Sequence, residues 1–291
     1  MTKAVPRPAD PFIQITRDAP QAPATADAIT ALPTITPADW AGPCPDRRWL
    51  AKDRIPAGDV TALLGDGATG KTQIAKQLEV AVARGAQDWL GTVIEAGPVL
   101  CYSGEEDEDE NQRRIERIAE IGGFSLSALS DLHIYCPDPD KALLGEAAPN
   151  DMIKPTTEFH RLRKSIETIR PALVTIDSVA ATYGGSQNSR TQTRSYINMF
   201  RALSRSHGTT FLLLDHPSMA GLASGEGRGG SVDWQNAVRS RMYLKHLGTS
   251  KNDEEEGIGD LRELATKKTN YGARLSSTAP DSRTTAGSIS A

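Results

Sequence analysis

The stretch GDGATGKT at 65–72 constrains this 291-residue chain more than any other, because it joins a strand-like run to a helix-like run through a glycine-rich loop. The pattern is G-x-x-x-x-G-K-[ST], with Gly65 and Gly70 framing the loop, Lys71 after it and Thr72 closing it. Each residue type has a mechanical reason. Glycines permit positive φ and let several backbone N–H groups converge on phosphate oxygens, while the following helix adds the positive end of its dipole. Lys71 is placed to reach the β/γ oxygens, and the Thr72 hydroxyl to ligate Mg²⁺. Asp66, Gly67, Ala68 and Thr69 supply the rest of the loop, and Gln73 follows in the helix. Four specified positions match by chance in on the order of 1% of chains this long. The flanks agree with the motif: DVTALL at 59–64 reads as a buried strand, and 73–84 carries apolar residues at helical spacing. A nucleoside triphosphate with Mg²⁺ is the ligand such a cradle suits.

From position 59 onward, strand-like and helix-like segments alternate, the signature of a mostly parallel central sheet flanked by helices. Strands are expected at 60–64, 99–103, 132–135, 173–176 and 210–214, and helices at 70–84, 108–121, 158–169 and 191–207. Two C-terminal strands at 238–245 and 260–268 are joined by the charged turn KNDEEEG, an antiparallel addition to the α/β core. Residues 1–35 are rich in Pro, Ala, Thr and Asp and read as a disordered arm, 36–272 as one ATPase domain, and 273–291 as a flexible Ser/Thr-rich tail. Net charge is −4, so the global balance demands no polyanionic partner and any basic site is local. No apolar run approaches the ~20 residues of a membrane span, and no signal-peptide core opens the chain. Cys44, Cys101 and Cys136 lack metal-ligand spacing and read as core residues of a cytoplasmic protein.

Three further junctions carry chemistry. In VLCYSGEEDEDE, Glu105 and Glu106 come directly off an apolar strand, where a carboxylate can polarise a water for attack on a γ-phosphate, Glu105 being the first in line. The run Asp107 to Glu110 reads instead as acids favouring the start of the next helix. In LVTIDS, Asp177 ends an apolar run roughly 105 residues after the phosphate loop, where an acid can hold Mg²⁺ through its water shell. In FLLLDHP, His216 follows Asp215 at a strand end, and if that strand lies beside the Asp177 strand the histidine can sense the γ-phosphate. Late in the chain, Arg228, Arg239, Arg241, Lys267 and Lys268 offer cations that could reach a neighbouring subunit's nucleotide, or form an ordinary basic face.

With these residues in place, the chain resembles the RecA-like AAA family typified by plasmid RepA replicative helicases, in the wider RecA/KaiC/DnaB group. The resemblance spans roughly 40–272 and rests on WL-x-x-x-x-IPAGDVTALLGDGATGKT, SGEED, LVTIDS, LLLDHPSMAG, RGGS, W-x-N-A-V-R-S-R and KKTNYG in that order. It implies a RecA-type core, ATP and Mg²⁺, and a homo-oligomeric ring, commonly a hexamer, with nucleotide between subunits. By position, Lys71 and Thr72 match the phosphate and Mg²⁺ residues, Glu105 or Glu106 the catalytic glutamate, Asp177 the metal-associated acid and His216 the sensor. Arg239, Arg241 and Lys268 match the region that supplies a cation in trans, and the loop after His216, including 219–230, would face single-stranded DNA in the ring channel. The family pattern also implies a strand after Gly272, where this chain continues ARLSSTAPDSRTTAGSISA.

The expected function is an ATP-driven motor on single-stranded DNA, a replicative helicase of plasmid or phage type. A RecA-like recombination or regulatory ATPase without unwinding activity shares every nucleotide-site residue. A small-molecule kinase on the same loop needs an Arg-rich lid, which the sequence does not offer.

Overall fold

The computed structural model describes residues 31–216, 232–247 and 262–271. The expected strand after Gly272, the loop at 219–230 with Arg228, the charged turn between the last two strands and the 273–291 tail lie outside them, as does the arm up to residue 30. Packing divides the chain into Met1–Arg47 and Arg48–Ala291. In the first unit, a 3₁₀ turn at Pro37–Asp39 is closed by a reciprocal cap between Thr36 and Asp39. Cys44 lies exposed there, between prolines with no regular structure to bury it, which corrects its assignment to a core. Cys136 is only half-buried, whereas Cys101 is buried.

The second unit is built on a seven-stranded sheet. In chain order its elements are β1 (Val60–Gly65), α1 (Lys71–Arg84), β2 (Val99–Ser103), α2 (Glu108–Gly122), β3 (Leu132–Tyr135), α3 (Thr157–Ile169), β4 (Leu173–Asp177), α4 (Val179–Thr182), α5 (Arg190–His207), β5 (Thr210–Asp215), α6 (Val232–Ala237), β6 (Ser240–His246) and β7 (Arg262–Thr269). The strand order is β7-β6-β1-β5-β4-β2-β3, parallel from β6 to β3, with β7 antiparallel on β6. The expected mostly parallel core with an antiparallel C-terminal pair is therefore the observed fold. Strands β1, β2, β4 and β5 are buried at every position, as a parallel sheet covered on both faces requires.

Each face has its own core. On one, Ile74, Leu78 and Val82 of α1 pack on Leu63, Leu173, Leu212 and Leu214. On the other, Tyr196, Phe200 and Leu203 of α5, with Phe159 of α3, pack on Phe211 and Leu213. Burying one such side chain contributes about 1.5–3 kcal/mol, and the two cores fix both helices against the strands between them. Helix α2 joins α1 through Ile115, Ile118 and Val80. Small sheets not foreseen from the sequence form at Trp49–Ala51 with Ile55–Pro56, at Asp88–Trp89 with Thr92–Val93, and at Gly145–Ala147 with Ile153–Pro155 and Tyr183–Gly184. Runs of two or three residues carry too little periodicity to read.

The register positions the site. Asp177 pairs with Ser103, and Asp215 with Leu64, so the C-terminal ends of β1, β5, β4 and β2 emerge at one sheet edge. Segments separated by up to about a hundred and fifty residues thus meet where parallel strands end.

Candidate functional site

The phosphate loop follows β1 and opens directly into α1. Gly70 sits at φ 89° as the N-cap of α1 and supplies no side-chain cap, leaving the first-turn N–H groups to an external anion. Gly65 is needed for space rather than for φ, because a Cβ there would lie 2.7 Å from the Leu244 carbonyl and 2.9 Å from Thr69 Oγ1. Ala68, not a glycine, also takes positive φ, at 58°. The loop is braced from inside by Thr69 Oγ1, which donates to the Asp66 carbonyl at 2.8 Å, and from β6 by Tyr243, whose hydroxyl donates to Asp66 Oδ1 at 2.7 Å. Arg262 on β7 donates to the Thr69 carbonyl at 3.3 Å. These two braces come from the C-terminal hairpin, and without the register no sequence signal ties Tyr243 or Arg262 to the loop.

Lys71 is buried, and its ammonium donates to the Gly65 and Asp66 carbonyls at 2.8 and 2.9 Å. Its third neighbour is His216 Nδ1 at 3.3 Å, reached because β5 lies between β1 and β4. Burial draws the Lys71 pKa down, opposed by Asp177, Glu105, Asp215 and Asp66. Burial likewise lowers the His216 pKa, with the Lys71 charge adding to the effect and Glu105 opposing it. Asp215, buried beside them, is pushed by desolvation up to about 7, and its carboxylate accepts the backbone N–H of His216 at 2.8 Å.

Glu105 and Glu106 have different surroundings. Glu106 is held by Arg114 of α2, with Nη2 to Oε1 at 2.6 Å and Nε to Oε2 at 2.9 Å, a bidentate pair that occupies both oxygens. Glu105 is exposed and accepts a hydrogen bond from the hydroxyl of buried Ser178. Of the two, Glu105 is the carboxylate with an oxygen left to meet a water. Asp107 accepts from the Glu110 N–H at 2.8 Å and caps α2, so the acidic run behind the pair serves the helix start, as its position implied.

Asp177 sits at the end of β4, and burial pushes it up to about 6, while hydrogen bonding with Thr72 pulls it down and Glu105 raises it further. A buried carboxylate beside a hydroxyl at the phosphate loop fits a hard divalent cation that keeps most of its waters. Among the described residues no group of three or more His, Cys, Asp or Glu side chains could cage a metal unaided. The four acids acting on the Lys71 ammonium point the same way, because a triphosphate brings more negative charge into the same space.

Beneath the loop, α1 is pinned to the sheet by a polar network that helical periodicity does not reveal. Lys76 Nζ lies 2.9 Å from Cys101 Sγ and 3.1 Å from Glu79 Oε2, and Thr175 Oγ1 donates to Glu79 Oε1 at 2.6 Å. All four are at most 1% exposed. Burial pushes the Cys101 thiol up to about 12 despite Lys76, so it stays protonated as a core group. The network ties the phosphate-loop helix to the strands that carry Glu105 and Asp177.

The late cations are elsewhere. β6 runs parallel to β1 with Ser240 beside Thr61 and Leu244 beside Gly65, so Arg239 lies at the start of β1 and Arg241 beside Ala62, about 16 and 10 Å along the strand from its phosphate-loop end. Arg239 pairs with Asp59 at 3.6 Å, as Arg201 does at 3.5 Å. Lys268, opposite Arg241, donates to the Asn236 and Val238 carbonyls at 3.2 and 2.8 Å, and its pKa is lowered by burial and the neighbouring arginines. This cluster is not brought to the chain's own nucleotide site.

Ser178 was visible in LVTIDS without a role, and in the structure its hydroxyl donates to Glu105. Ser178→Ala is expected to lower kcat on the order of tenfold while KM for ATP holds, since positioning a base contributes within the 10²–10⁴-fold worth of general base catalysis. Steady-state kinetics checks this, and a raised KM with unchanged kcat would remove the positioning role.

A family model described as an AAA domain matches residues 25–221. The crystal structure of a KaiC-like protein from the hyperthermophilic archaeon Pyrococcus horikoshii OT3 aligns with a TM-score of 0.52 at 15% identity, covering 79% of this chain and 91% of that one. Likeness at that identity carries the fold. No helix among the described residues is long and apolar enough to cross a membrane.

Proposed function

The chain belongs to the AAA domain family, and from that premise, with its RecA-like sheet and phosphate loop, we propose that it is a magnesium-dependent ATPase working as an oligomeric motor on single-stranded DNA, a replicative helicase of plasmid or phage type. The observation that carries the ATPase is the meeting of Lys71, Thr72, Glu105, Asp177 and His216 at one edge of the sheet. In this reading the loop from Gly65 to Thr72, with Gln73 behind it, holds the triphosphate through backbone N–H groups and the Lys71 ammonium. Glu105, oriented by Ser178, takes a proton from the attacking water, and Arg114 keeps Glu106 out of that role. Magnesium held through Thr72 and Asp177 would offset the charge gathering on the phosphates. His216 acts as the sensor because it shares the Lys71 ammonium, so a γ-phosphate that draws Lys71 toward itself changes what the ring touches.

Two points support an oligomer. Among the described residues, the arginines at the catalytic edge are engaged, Arg114 by Glu106 and Arg262 by the Thr69 carbonyl, and Arg239, Arg241 and Lys268 gather away from that edge, where they would face a neighbour. In this reading the protein is a cytoplasmic homo-oligomeric ring, probed first as a hexamer. The second reading, a RecA-like recombination or regulatory ATPase, shares the nucleotide site and differs only in what turnover drives. A kinase reading is weaker, because an activating glutamate suits water as the acceptor.

The deciding experiment is steady-state ATP hydrolysis with and without single-stranded DNA, with mass by light scattering on the same sample. Several-fold stimulation and a ring-sized mass are the expected result. Hydrolysis indifferent to DNA, or a monomer throughout, would leave the regulatory ATPase as the better account.

A further inference from the structure

The core-facing stripe of α2 begins with a polar residue. Asn111, Ile115, Ile118 and Ala119 are the buried positions of this helix, at the spacing that ordinarily carries apolar side chains, and Asn111 is 1% exposed. The residues from Glu105 to Glu110 before it are all acidic and none is buried. An amide at the first buried position therefore needs partners from outside the helix face. They come from the strand end and the turn that precede α2. Asn111 Nδ2 donates to Ser103 Oγ at 2.9 Å and to the Asp107 carbonyl at 2.8 Å, with the Glu106 carbonyl at 3.3 Å. Cys136 Sγ, a weaker acceptor, stands at 3.5 Å. Ser103, the last residue of β2 and itself buried, donates its hydroxyl to the Glu106 carbonyl at 3.0 Å. Backbone carbonyls only accept, so these surroundings fix the amide with its NH₂ toward the turn.

From these contacts we infer that Asn111 and Ser103 are positioning residues for hydrolysis: they clamp the turn from Ser103 to Asp107 and so set where Glu105, its middle residue, presents its carboxylate. The inference rests on the reading of Glu105 as the base. On its other flank the same turn is tied to β4, because the Gly104 N–H donates to the Asp177 carbonyl. The approach is close there, since a Cβ at Gly104 would lie 3.1 Å from Ala181 Cβ of α4. Glu105 thus sits between two fixed flanks, with the Ser178 hydroxyl as a side-chain contact. Arg114 adds a link from α2, but it grips the Glu106 carboxylate, whereas Asn111 and Ser103 grip the backbone of the turn. Loosening that backbone displaces the carboxylate from the water without touching the phosphate loop, and a misplacement of about 1 Å costs on the order of 10²-fold in rate.

The test is single-turnover hydrolysis and binding of a fluorescent ATP analogue by the full chain carrying Asn111→Leu or Ser103→Ala, each alone and combined with Glu105→Gln. Leucine suits the apolar stripe while removing the amide, and alanine removes the hydroxyl with little change in volume. Asn111→Leu is expected to lower the hydrolysis rate about tenfold to a hundredfold, and Ser103→Ala about tenfold, with analogue affinity within about twofold of wild type. In the Glu105→Gln background either change should alter the residual rate by less than about twofold, because residues that act through one base are not additive. A role confined to holding α2 in place would instead lower affinity, unfolding temperature and rate together, by the same factors in both backgrounds, and would overturn the clamp. Rates equal to wild type in both single variants would overturn it too. If thermal unfolding shows that Asn111→Leu does not fold, the cycle between Ser103→Ala and Glu105→Gln decides alone. The base reading fails on a different result: a normal rate in Glu105→Gln by itself would remove the base, and the clamp's purpose with it.

Discussion

Lys71→Ala is expected to remove ATP turnover by on the order of 10²–10³-fold or more, the scale of losing one preorganised donor at a site of developing charge. The structure makes this residue hard to replace. Lys71 is 8% exposed, and its ammonium converges on two loop carbonyls and His216 and is acted on by four nearby carboxylates. Removing it leaves an acidic site facing a polyanionic substrate, so binding should weaken along with kcat. Because the buried stem also fills space beside Gly65, Lys71→Met is the companion variant, keeping the packing and removing the charge. Steady-state hydrolysis and titration with a fluorescent ATP analogue read the two effects. Turnover comparable to wild type in both variants would mean that Lys71 does not serve the transferring phosphate.

The central sheet was legible because its strands announce themselves as apolar runs between helical periodicities. Leu173, Val174 and Ile176, or Phe211 through Leu214, have no polar face to confuse the assignment, since both sides of a parallel strand are covered. The acids and histidine at strand ends were legible for the same reason: Glu105, Asp177 and His216 each follow such a run, and parallel pairing carries them to one edge. What stayed hidden depends on contacts distant in sequence. Lys76 and Glu79 look like the solvent face of α1, and only the sheet above them turns that face inward, against Cys101 and Thr175. Tyr243 and Arg262 look like strand residues, and it is the hairpin's register beside β1 that aims them at Asp66 and Thr69. The choice between Glu105 and Glu106 likewise needed Arg114, eight residues after Glu106.

Glu105→Gln is expected to keep ATP bound while hydrolysis falls on the order of 10²–10⁴-fold, the range for general acid–base catalysis. The amide is close in size to the carboxylate and can still accept from Ser178, so the loop and its nucleotide contacts should survive. What it loses is the basicity needed to take a proton from water. Glu106→Gln is the control with the opposite structural meaning. It breaks the bidentate pair with Arg114, which costs α2 some of its anchoring, but it removes no group open to a water. Glu106→Gln should therefore lower the unfolding temperature modestly and leave kcat within an order of magnitude of wild type. Analogue binding, single-turnover hydrolysis and thermal unfolding on both variants separate the roles. Should Glu106→Gln stop turnover while Glu105→Gln does not, Arg114 would be orienting the catalytic base rather than withholding it, and the assignment would pass to Glu106. Should neither change turnover, the proton must leave by a route that uses neither carboxylate, and buried Asp215, pushed up to about 7 beside His216 and Lys71, would be the next residue to replace.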